Sequence, residues 1–157
     1  MKKIVTAGLL IMVLTALVAT PAMAAAPEMH KVSGGGTNES LDAVRTVSFT
    51  AVQIDDQFNA KGELQAINRE QGTKIHGDVL YLVVDGNQAW MSGVVTISHN
   101  PIFPVGGGFI LMLQDGGEGH EDPIDKSSWL IPSPVDWAKN KVPMDMYDWM
   151  NGNIEVK

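Results

Sequence analysis

The chain has 157 residues, no cysteine and a formal net charge of −7, from 18 acidic and 11 basic residues. That length fits one domain, and the acidic balance argues against a nucleic-acid partner, because phosphate binding needs a basic surface. Without cysteine there is neither a disulfide nor a cysteine-linked lipid, so stability must come from an apolar core or a bound ion.

The N-terminus reads as an export signal. Lys2 and Lys3 precede an apolar run from Ile4 to Val18, Pro21 interrupts it, and Ala22-Met23-Ala24 supplies the small-x-small pattern of a cleavage site. The run, at about 15 residues, is shorter than the ~20 a spanning helix needs. The expectation is a signal peptide over 1–24 and a single secreted β-domain over 25–157, periplasmic or extracellular and without a membrane anchor after cleavage. All 18 acids follow the cut, as do the 11 bases except Lys2 and Lys3, so the mature chain carries a charge of about −9.

Beyond the cut, short alternating runs separated by Gly, Asn and Asp predict an all-β domain. Thr46–Gln53 alternates with Val47, Phe49 and Ala51 on one face. Gly62–Asn68 sets Leu64 and Ala66 against Ile67. Thr73–Val84 and Asn87–Ser98 flank Asp85-Gly86, a dipeptide suited to a type I′ turn. In that register Val84 pairs with Asn87 and Leu82 with Ala89. One hairpin face then carries Leu80, Leu82, Val84, Ala89 and Met91, and the other carries Val79, Tyr81, Val83, Trp90 and Val94. Both are apolar, whereas a half-exposed sheet alternates. Something must cover the second face: residues 132–150, a ligand or another chain. Gly107–Gln114 and Ser127–Ile131 read as further strands. Residues 132–150 read as an insertion rich in Trp and Met, with a helical turn capped by Asp145. Asn151-Gly152 signals a turn before Asn153–Lys157. The expected fold is an antiparallel β-sandwich or small barrel of about seven to eight strands.

A series of blocks runs through residues 31–157: Ser33-Gly34-Gly35-Gly36, Ser48-Phe49, Gly62-Glu63-Leu64, Lys74-Ile75-His76-Gly77, Gly86-Asn87-Gln88-Ala89 with Ser92-Gly93, Asp115 to Gly119 with Asp122, and Gly152 to Val156. In order and spacing they resemble the bacterial secreted domain called post-COAP. The resemblance implies a β-domain of secreted or surface proteins and assigns no catalytic residues. The 132–150 segment, Tyr81 and Trp90 depart from that pattern.

Three constellations are candidates for function. Tyr81, Val83, Trp90, Trp137 and Trp149 form a prospective surface for a ligand or partner, since aromatic side chains either stack ligands or pack cross-strand pairs; Trp129 belongs to the same aromatic set. Asp115, Glu118, Glu121, Asp122 and Asp125 lie in one Gly-rich loop, and clustered oxygens suit calcium, although the spacing is not that of a known calcium loop. Met29, His30, Met144, Met146 and Met150 offer soft copper ligands or simple core filling. Enzyme signatures are poor: there is no G-x-S-x-G, H-E-x-x-H or phosphate loop, and His30, His76, His99 and His120 are scattered. The expected role is a secreted, non-catalytic binding or interaction module for an unknown protein or small ligand, with homo-oligomerisation open. The alternatives are a calcium-stabilised or small-ligand-binding barrel and a minor hydrolase. Intact mass spectrometry of the exported protein should match residues 25–157; a mass that retains 1–24 would make that segment an anchor instead.

Overall fold

The computed structural model describes residues 29–40, 43–119 and 121–157. The signal segment 1–24 and His120 lie outside the described residues. The strands are β1 (Lys31–Ser40), β2 (Ala43–Gln53), β3 (Asn59–Asn68), β4 (Thr73–Asp85), β5 (Gln88–Ser98), β6 (Gly108–Gln114), β7 (Lys126–Ser127), β8 (Ile131–Pro132) and β9 (Tyr147–Val156). β1 to β6 pair in sequence as an antiparallel meander. β6 then pairs with β7, β7 with β9, and β9 returns to β1. The result is a closed eight-stranded antiparallel barrel, with β8 as an extra strand on β6. Of the two expected architectures, the barrel is the one formed.

Closure follows from which side chains point inward. Val47, Phe49 and Ala51 of β2, Leu64 of β3, Leu82 of β4, Met91 of β5 and Phe109, Leu111 and Leu113 of β6 are buried in one cluster with Ile154 and Trp149 of β9. A barrel of eight strands is just wide enough for such side chains to fill it. Trp149 stands edge-on to Phe49, with ring centroids 6.2 Å apart. Its indole N–H donates to Ser127 Oγ at 2.9 Å, and Asn38 Nδ2 donates to the same oxygen at 2.9 Å.

The structure corrects four local expectations. The hairpin turn is Gly86-Asn87, with Asp85 opposite Gln88. Positive φ falls on Gly86 and not on Asn87, the type II′ pattern rather than type I′. Leu82 therefore pairs with Met91 and Val84 with Ala89. The shift is an even number of residues, so both faces keep their members near the turn. Farther on, an irregularity between Val79 and Tyr81 turns Val79 into the core and Leu80 out to solvent. Second, residues 31–40, with their three consecutive glycines, form a full strand. A Cβ at Gly36 would intrude on the Trp149 ring, so only glycine lets that indole lie against the β1 backbone. Third, Asn151-Gly152 is not a turn. β9 runs through it with a bulge that lets Met150 project outward, and Gly152 takes φ +95 opposite Gly36. Fourth, the helical turn expected at Asp145–Met150 is absent. Tyr147 and Asp148 pair with β7 instead, and the one 3-10 turn among the described residues is Trp137–Asn140.

Gly36→Val should lower unfolding stability by about 3 kcal/mol in a urea titration, because the new side chain overpacks against Trp149. Gly35→Val points outward, with its nearest neighbour, Ser48 Cβ, at 3.6 Å, and should change stability by less than about 0.5 kcal/mol. Equal losses at the two positions would refute the packing account.

Candidate functional site

The outer face of β4–β6 is covered by the protein's own chain. Val83, Trp90, Ile110, Met112 and Ala138 form a second buried cluster, against which Tyr81, Trp137, Met144 and Met146 pack. Residues 133–146 lie as a strap over this wall. Two anchors hold them. Ser92 Oγ, fully buried, donates to the Val135 carbonyl at 2.7 Å and accepts from the Ala138 N–H at 3.1 Å. Trp90 Nε1 donates to the Val142 carbonyl at 2.9 Å. At the rim, Lys141 pairs with Asp85 at 2.8 Å and the Lys139 ammonium sits 4.2 Å from the Tyr81 ring centroid. A chain that must leave the barrel and return to β9 thus satisfies its turn and carbonyl groups on side chains that the wall projects.

The strap does not seal the wall along its whole length. Between it, Ile110 of β6, residues 128–131 and the start of β9 opens a cleft of about 620 Å³. Trp129, Trp137, Tyr147 and Met144 are among its lining, with Asp145 and Ser128 as the polar members. Trp129 and Tyr147 meet at 5.9 Å between centroids, tilted by 48°. Trp129 reaches the cleft because residues 128–130 leave the strand line between β7 and β8. Ser128 makes that departure possible: its N–H donates to the Met112 carbonyl at 2.8 Å and its Oγ accepts the Met112 N–H at 2.9 Å.

Of the expected ligand or partner surface, Val83, Trp90 and Trp149 are buried. The first two lie beneath the strap and the third lies inside the barrel, so none presents an open face. Tyr81 is half-buried at the strap's edge, and of these five residues only Trp137 lines the cleft. The sequence reading passed over Tyr147, Met144 and Asp145 as cleft residues. The aromatic residues of the 137–149 segment are the signal for them; the helical turn expected at Asp145–Met150 places Asp145 and Tyr147 differently.

A second cavity of about 390 Å³ lies at one barrel end, floored by Ala66, Ile75 and Phe103. Trp129 and Ile131 wall both cavities. Arg45 lies on the mouth side, with its guanidinium 3.6 Å from the Trp129 ring centroid. Burial draws its pKa down, opposed by the neighbouring Tyr147 and Glu70. Among the described residues, the buried indole N–H of Trp129 has no hydrogen-bond partner.

The carboxylates of the acidic loop are engaged by the protein's own donors. Asp125 is buried, and its two oxygens accept the N–H groups of Gly116 at 2.7 Å and Ile154 at 2.5 Å. Asp115 accepts from Gly117 at 2.7 Å and Val156 at 3.0 Å, and Asp122 from Gly119 at 2.5 Å. Glu118 accepts from the Asn153 side chain at 2.9 Å, and Glu121 is exposed. The carboxylates therefore tie the loop's backbone and bind it to β9. Among the described residues, no three His, Asp or Glu groups converge as metal ligands, and the Met144 and Met146 thioethers pack against the covered wall. No protein-family model, curated protein or solved structure matches the chain.

Asp125→Ala leaves two backbone donors without their carboxylate, and should cost about 2–4 kcal/mol in denaturant unfolding. Excess calcium should leave the wild-type melting temperature where it is. A calcium-dependent rise of several degrees would overturn this account of the loop.

Proposed function

We propose that this chain is an exported, non-catalytic binding protein whose small ligand lodges in the cleft between the barrel wall and the strap. The observation that carries this reading is the cleft itself. Its 620 Å³ falls within the range of small-molecule sites, and two indoles, a phenol and a thioether supply an apolar lining with few polar groups. Among the described residues, the cleft's lining holds one carboxylate and no histidine, a poor basis for acid–base chemistry. The second hairpin face, which by itself argued for a partner protein, is covered by the strap and lends no support to a docking role. Export follows from the N-terminal pattern, and the post-COAP resemblance, which rests on its sequence blocks, is compatible with a secreted β-domain.

The test is a titration of the mature protein with para-tert-butylphenol, an uncharged aromatic probe, followed by tryptophan fluorescence and by melting temperature. Saturable quenching with a rise in melting temperature is expected. Trp137→Ala should weaken binding about tenfold, in line with the loss of one stacking side chain. Trp137 is half-buried, so its variant should keep the cooperative unfolding of the barrel. Absence of any saturable change in the wild type would sink the reading.

A further inference from the structure

Resting on the cleft reading above, we infer that the ligand is an organic ammonium cation with an apolar body. Two independent features of the cleft point to a positive charge. The first is aromatic: Trp137, Tyr147 and Trp129 present π systems, and indole and phenol faces attract cations through their quadrupoles. The protein already uses this attraction twice nearby, with Arg45 on the Trp129 ring at 3.6 Å and Lys139 at 4.2 Å from the Tyr81 centroid. Arg45 occupies Trp129 and neighbours Tyr147, so within the cleft the cation falls to Trp137.

The second feature is Asp145. It is exposed at the cleft, is the one acidic or basic side chain in the lining, and takes no part in a hydrogen bond or ion pair among the described residues. Acids around it are committed: Asp148 to Lys126 at 2.9 Å, and Asp85 to Lys141 at 2.8 Å. The same pairs offset the ammonium charges of Lys126 and Lys141. An anion would meet repulsion from Asp145. A neutral molecule would gain only apolar contact. A cation gains the aromatic faces and the carboxylate together, in a molecule whose net charge of −7 already favours its approach.

The decisive comparison uses two probes of one shape. Para-hydroxyphenyl trimethylammonium and para-tert-butylphenol differ in a nitrogen for a carbon, and hence in charge. Isothermal titration of the mature protein should show the cation binding about tenfold more tightly. Asp145→Asn should cut the cation's advantage to a few fold, the share that the aromatic faces supply, since an amide keeps the size and removes the charge. Equal affinities in the wild type would overturn the cation assignment and leave the cleft as an apolar site, and an undiminished preference in Asp145→Asn would overturn the carboxylate's part in it. Binding of neither probe would overturn the cleft reading as well.

Discussion

The rest of the structure depends on one constraint: the wall made by β4, β5 and β6 is apolar on both sides. Leu82, Met91, Phe109, Leu111 and Leu113 face into the barrel, while Val83, Trp90, Ile110 and Met112 face out of it. Burying a side chain of this size is worth about 1.5–3 kcal/mol, so leaving four uncovered would forfeit much of a small domain's stability. Rolling the sheet into a barrel covers only the inner set. The strap is the solution to the outer one, and its position is dictated by polar groups that the wall itself supplies: the Ser92 hydroxyl and the Trp90 N–H. The cleft is what remains where the strap must lift to rejoin β9.

The acidic loop shows the same economy in a different chemistry. A chain without disulfides has to fasten its long β6–β7 connection by other means. It does so with carboxylates that accept backbone N–H groups from the loop and from β9. Such charge-assisted bonds are about twice as strong as neutral ones, and Asp125, buried with both oxygens occupied, draws its strength from that completeness.

How far the sequence could be read follows the same physics. Alternation over 46–53 and 62–68, and the two long runs flanking the β4–β5 turn, were legible because period two survives wherever one face is buried. The two-sided burial of the hairpin was legible too, and so was the demand for a cover. Three things were not. Gly34-Gly35-Gly36 hid β1, because glycine lacks the side chains that carry the periodic signal, and its reason lies more than a hundred residues away in Trp149. The start of β9 was read as helical because local propensity is overridden when a strand's backbone donors find partners in β7. The third was the state of the acidic loop, because carboxylate counting does not reveal whether the oxygens are already taken by N–H groups. The cleft suffered from both faults at once: Trp129, Asp145 and Tyr147 meet only through the bulge at 128–130 and the return of β9.

That return has a consequence of its own. Around most of the barrel, neighbouring strands share long ladders, but β7 contributes two residues, so the ladder joining β6 to β9 runs through Lys126 and Ser127, backed by single bonds from Ser128 to Met112 and from Trp149 to Asp125. A hoop with one short weld parts at the weld, and local opening there costs less than anywhere the ladders are long. Tyr147 stands on one side of this weld and Trp129 and Ile131 on the other. Anything seated in the cleft therefore straddles the joint and acts as a clasp. Its grip and the barrel's resistance to springing open are then a single free energy, shared between binding and fold.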